Sequence, residues 1–525
     1  MSNFKLEKLS AVDEVLRSQS DTTTVATSYM NARPYMLSRV YDGSENNLAH
    51  PSYGKSNTAL LRKSAVAYGD GISTLSPRTP TPREISNAVC KSTGSKLNSN
   101  NLTDFVWLWG QFVDHELDLT PTLSTEPANM ITPGNDVYPG RTIPFDRSAF
   151  GYNSSPRQQV NVLSSYIDCS NVYSSDTTRC YALRKLDGSG ELKTTTANNG
   201  ELILPYNTFG LDNAQPTGTQ KDSFFIAGDI RANENVALTA VHTLFVREHN
   251  RLAQSIKASH PLYTEEEIFQ AARRLVTAFM QKITYTDFLP LLIGDLSLYT
   301  GYKTNVDSSV VTEFSTVGFR LGHTMVSSTL STGTGSISLI TSFFNPSYVQ
   351  TNGIDNLLLG ASNKLMQEID NEIVDELRDF LFGAPTALQL LDLASLNIQR
   401  ARDHGITDYN SLRVAYGLTA YTQFSQITTN TTVRTKLQSV YSSINGIDPW
   451  VGALCEDHQQ GAAVGPLLKT ILKDQFERLR DGDRYWWQSD LMITPEQRIE
   501  ITNTKLSDII NRNCSVVVSS NVFKK

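Results

Sequence analysis

Residues 107–121 read WLWGQFVDHELDLTP, an aromatic and aliphatic segment that nevertheless carries Gln111, Asp114, His115 and Glu116. Burying charge costs several kcal/mol unless the group is paired or bound to something. On a helix, Gln111 and His115 share a face and Asp114 lies about 100° round from His115. Such a helix presents an amide and an imidazole to one cavity, with a carboxylate on its flank. An imidazole near neutrality can take up and return a proton. Taken alone, the segment reads more readily as a core helix with a hydrogen-bonded histidine.

Four further segments carry chemistry. Residues 225–252, FIAGDIRANENVALTAVHTLFVREHNRL, place Arg231 and Glu234 just ahead of a helical pattern, which by itself is an ordinary helix start. His242 and His249 in that block fall seven residues apart on one face, a spacing that reads as packing. Residues 319–325, FRLGHTM, supply His323 and Arg320, and residues 396–405, LNIQRARDHG, supply Asn397 and Arg400. Residues 164–170, SSYIDCS, alternate oxygen-bearing groups. If the loop is extended, Ser164, Asp168 and Ser170 side chains with the Tyr166 carbonyl converge on a hard cation. A polar turn is the plainer reading.

The elements that must position these groups are mostly helical. Thr264 with Glu267 forms a capping box, followed by Ile268, Ala271, Leu275, Ala278 and Phe279 on one face. Further helices are expected over about 235–257, 363–382 and 466–480. Residues 127–221 are rich in Gly, Pro, Asn, Ser and Thr and are expected to be loop-dominated. No internal repeat is found. The expected fold is mainly α, one large helical domain with long loops and little β-structure. Residues 1–85, with the turn-rich SPRTPTP at 76–82, read as an extended arm on a body of 86–525.

With 525 residues and 39% hydrophobic content, a packed globular chain is expected. A net charge of −7 argues against a nucleic-acid partner, which would demand a basic face. No apolar run is long enough to span a membrane. Five cysteines (Cys90, Cys169, Cys180, Cys455, Cys514) are too scattered for a disulfide scaffold. The first residues, MSNFKLEKLS, lack a signal peptide's apolar core. The chain is therefore expected inside the cell, or secreted if Met1 replaces a removed signal.

The WGQ-x-x-DH motif resembles the distal haem helix of the animal haem peroxidases (the peroxidase–cyclooxygenase superfamily, on its myeloperoxidase- and peroxinectin-like side). The other blocks follow in family order from about residue 87 to 487, including QFERLRDGDRYWW at 475–487, read as architecture. The resemblance implies a peroxidase that reduces hydrogen peroxide and then oxidises a halide, thiocyanate or small aromatic donor through a ferryl radical intermediate. It implies His115, Arg231 and Gln111 as the catalytic set and His323 as the haem-iron ligand, with Asn397 accepting its N–H. Arg320 and Arg400 fall where haem propionates are paired. Asp114 and Glu234 fall at the ester links of a haem b derivative. Asn235 stands where one mammalian member has a methionine that bonds haem, so at most two ester links are expected. Calcium is implied at Ser164, Tyr166, Asp168 and Ser170 with Glu116, where the family usually has Asp. The expected protein is a monomer.

Two other functions compete. The oxygenase branch of the family, acting on fatty acids, needs a tyrosine three residues before the proximal histidine, and that position here is Arg320. A peroxinectin-like adhesion protein with vestigial haem is the other, but no Arg-Gly-Asp triplet occurs and every expected catalytic side chain is present.

Overall fold

The computed structural model describes residues 38–151, 154–386 and 388–525. The first 37 residues of the expected arm lie outside the described residues. Helices dominate, and the β-structure consists of five two-stranded antiparallel sheets among the described residues.

Five helices position the site. α1 (Phe105–Leu117) is buried on nearly every side, and Gln111, Asp114 and Gly110 are its half-exposed residues. Its aromatic and aliphatic residues place it in the core, where Trp109 and Phe112 are fully enclosed. α2 (Val236–Ser259) starts at Asn235, whose side chain accepts from the Leu238 N–H. α3 (Glu265–Lys282) starts with the expected capping box at Thr264 and Glu267. α2 packs against both α1 and α3, which sets the turn at 229–235 beside residues 111–115 of α1. α4 (Leu393–Asp403) carries Asn397 and Arg400, and α5 (Pro466–Asp481) backs the segment that leads into His323.

Residues 38–85 are laced onto the body. Arg39 and Asn46 both donate to Asp483, at 2.6 and 2.8 Å. Thr58–Ala59 pairs with Val160–Asn161, and Arg62 donates to the His404 carbonyl. The turn at Pro82–Ile85 runs on helically to Cys90, with Ile85, Val89 and Cys90 in the core.

One expected helix is absent. Over 363–382 the chain leaves a helix at Asp355–Asn363 and runs extended, with a single helical turn at Asp375–Arg378. Its main chain bonds residues 90–104 instead: Met366 N–H donates to the Leu102 carbonyl and Ile373 N–H to the Cys90 carbonyl. Met366, Ile369 and Ile373 are buried at a helix-like spacing, but a neighbouring strand-like segment supplies the hydrogen bonds.

Candidate active site

A cavity of about 350 Å³ lies between α1, the N-terminus of α2, the 319–326 segment and α4. It gathers Gln111, Asp114, His115, Arg231, Glu234, Arg320, His323 and Arg400 on one lining. The remaining wall is largely apolar, with Phe288, Leu292, Phe343, Leu377, Leu381 and Phe382 among its residues. Asp114 faces the cavity together with Gln111 and His115, because the cavity wraps round the helix instead of meeting one face.

His115 is buried, with Nδ1 making no hydrogen bond. Its nearest anions are Asp229 Oδ1, 3.7 Å from Nδ1, and Glu234 Oε2, 3.6 Å from Nε2. Burial, with help from the Arg231 charge, holds its pKa well below the ordinary histidine value. It is therefore a neutral base at pH 7. Arg231 is anchored by Asp229: Nε donates to Oδ1 and Nη2 to Oδ2, each at 2.9 Å, and the Arg231 main-chain N–H donates to Oδ1 at 2.8 Å. Burial works to raise the Asp229 pKa, but Arg231, His115 and these bonds outweigh it and keep the carboxylate ionised.

Asp229 is absent from the sequence reading, although it stands two residues before Arg231 in GDIR. Also unforeseen are His404, which lines the cavity while its ring nitrogens bond Ser148 and Thr312, and Asp118, which bonds Ser315 and leaves Oδ1 unpartnered. Nothing in one sequence marks these two apart from other polar residues.

His323 sits on a tight 3-10 turn, Phe319–Thr324, and Asn397 of α4 meets its Nδ1 at 2.7 Å. The amide nitrogen is the atom placed there, not the expected oxygen. An imidazole that ligates through Nε2 carries its proton on Nδ1, so the amide must turn about its last bond, exchanging two atoms of equal reach. Burial, then the Arg320 charge, lowers the His323 pKa to about 3, leaving it neutral and free to bind metal.

The residues fit haem. Of the carboxyl groups that line the cavity, burial raises Asp114 to about 6 and Glu234 to about 7, and Asp114 Oδ1 is buried without a hydrogen bond. Arg320 and Arg400 share the same lining. Arg400 donates to the Asp146 carbonyl, Ser148 and Asp403, and Arg320 Nε to the Ser315 carbonyl. Burial depresses Arg400 to about 10; the Asp403 charge opposes it and the neighbouring Arg320 charge adds to it. An anionic, iron-bearing group such as haem would answer these features, with His323 to hold its metal.

The 164–170 loop is bent, not extended: Cys169 takes φ 60°, and a short helix begins at Ser170. The alternation expected for it therefore does not hold. Glu116 bridges the bend, accepting from the Asp168 N–H at 2.6 Å and the Asn171 N–H at 2.9 Å. Ser164 Oγ donates to Asp168 Oδ2 at 2.8 Å, and Ser170 Oγ to the Glu116 carbonyl at 3.2 Å. Burial, then the Asp168 charge, raises Glu116 to about 8. Oxygen donors are gathered here, but among the described residues no three His, Cys, Asp or Glu side chains converge as a metal cluster. His242 and His249 are packing groups, one against Phe112 and the other between Tyr173 and the Gly190 carbonyl.

The family model for animal haem peroxidase matches residues 38–523, extending the resemblance beyond 87–487 at both ends. The chain is 33% identical over 535 residues to Peroxinectin A of Dictyostelium discoideum, covering 96% of this chain and 98% of that one. It is 34% identical over 549 residues to human eosinophil peroxidase, covering 93% and 76%. The solved structure of peroxidase A from Dictyostelium discoideum superposes with a TM-score of 0.87 at 32% identity, covering 93% and 99%. Sequence, fold and cavity agree: the chain belongs to the animal haem peroxidase family and is a haem-dependent oxidoreductase acting on hydrogen peroxide.

Proposed function

We propose that His115, Arg231 and Gln111 carry the peroxide chemistry and that the second substrate is a halide, thiocyanate or small aromatic donor. The observation that carries the reading is the pairing of a neutral buried imidazole with a carboxylate-anchored guanidinium in a cavity that His323 also lines. Haem held by His323 supplies the redox couple that reduces peroxide and stores its oxidising equivalents. His115 takes a proton from hydrogen peroxide and returns it to the departing oxygen, acting first as base and then as acid. Arg231 balances the negative charge that develops as the O–O bond breaks. The apolar wall of Phe343, Leu381 and Phe382 suits an aromatic donor, and Arg320 stands where an oxygenase would need a phenol.

Asp114 and Glu234 are the proposed ester links, with Arg320 and Arg400 as propionate partners. Ser164, Tyr166, Asp168 and Ser170 are the proposed calcium ligands; for Glu116 to join them, its oxygens must leave the amides they now hold. A His115→Ala variant is expected to keep haem but react with peroxide about 10²- to 10⁴-fold more slowly in stopped-flow absorbance. Reaction at the wild-type rate would overturn the role of His115. Haem stain surviving denaturing electrophoresis, and lost in Asp114→Ala with Glu234→Ala, tests the ester links.

A further inference from the structure

Asn235 and Gln111 form a directed chain whose orientation starts from a main-chain group. The Leu238 N–H can only donate, and it donates to Asn235 Oδ1 at 2.9 Å. That commits the Asn235 amide: its nitrogen faces away from α2 and donates to Gln111 Oε1 at 3.0 Å. Gln111 is thereby committed in turn. Its oxygen is occupied, and its nitrogen lies 2.9 Å from Glu234 Oε2, which accepts whether as acid, carboxylate or ester carbonyl. Turning the Gln111 amide over would set nitrogen against nitrogen at Asn235 and oxygen against oxygen at Glu234. Both Gln111 and Asn235 line the cavity, and Asn235 is buried, so water competes little for these bonds.

We infer that Asn235 is a specificity-determining positioning residue: it holds the Gln111 amide with N–H toward the cavity, selecting small anions that accept hydrogen bonds. The inference rests on the haem-peroxidase reading and deepens it at one subsite. An amide nitrogen carries two hydrogens; Glu234 takes one, and the other serves a ligand beside Arg231 and His115. A free amide would present nitrogen or oxygen as the ligand demanded, and anions would lose that preference.

The test is bromide titration of the ferric, haem-loaded protein, followed through the Soret band. Asn235→Ser keeps an oxygen for the Leu238 N–H but cannot reach Gln111. It is expected to raise the bromide dissociation constant about ten-fold, the loss of one hydrogen bond to a charged ligand. The same substitution in a Gln111→Ala background is expected to change nothing further. Asn235→Thr serves if the serine variant does not fold. An unchanged bromide constant in Asn235→Ser, or an equal loss in the Gln111→Ala background, overturns the inference. A wild-type protein without a Soret band would instead defeat the peroxidase reading itself.

Discussion

Asp229 keeps its side chain about 1% exposed while both its oxygens hold Arg231 and one faces Nδ1 of His115. It balances a buried cation and favours the imidazole tautomer with its proton on Nδ1, which leaves Nε2 to act as the base. An Asp229→Asn variant retains the shape but loses the charge. It is expected to slow the reaction with peroxide by about 10- to 100-fold, on the scale of a hydrogen-bonded charge partner. Stopped-flow absorbance on haem-loaded protein checks this, and a rate within two-fold of wild type would remove Asp229 from the reaction. Gln111, Asp114 and His115 were legible as polar groups in an apolar helix, whereas Arg231 and Glu234, at an ordinary helix start, were legible only through the family resemblance. Asp229 was not, because an aspartate before an arginine is common and its meaning comes from the groups that surround it.

Elements decide whether those side chains meet. Gly228 lies where the turn before α2 crosses the Ser170–Tyr173 helix, and a Cβ there would stand 2.4 Å from the Ser170 carbonyl and 2.6 Å from the Ser174 nitrogen. Both obstacles are backbone, so Gly228→Ala is expected to destabilise the protein by about 1–3 kcal/mol and to lower haem retention. Gly134→Ala, with nothing within 4 Å, is the matched control and should change neither. Chemical denaturation and haem absorbance measure both. Chelation belongs at this scale too. If calcium fills the proposed 164–170 site, chelation is expected to lower the melting temperature, because Glu116 and Asp168 would then be left buried side by side without a cation. An unchanged melting temperature after exhaustive chelation would count against a cation there. The capping box of α3 and the helical spans of α2, α3 and α5 were readable because each is local. Residues 363–382 misled because burial can follow a helical spacing while hydrogen bonds go to a distant segment.

Across the whole molecule, buried neutral histidines tie stability to pH. His249 is fully buried between Tyr173 and the Gly190 carbonyl, and burial lowers its pKa to about 4. Its unfolded value is about 6.5. Between these values the unfolded chain binds the extra proton, so stability present above pH 6.5 is lost as the pH falls toward 4. His249 alone is expected to contribute about 2 kcal/mol of the loss between pH 7 and 5. In His249→Gln the fall in denaturation free energy should be shallower by that amount; parallel curves would refute it. The sequence by itself determined the helical class, the family and the candidate site residues, because periodicity, capping and motif spacing are properties of neighbouring residues. Only the tertiary structure decided that eight of those side chains share one cavity, that Asp229 binds Arg231 beside His115, and that Asn235 turns Gln111. Those facts depend on distances between segments far apart in the chain, which packing alone sets.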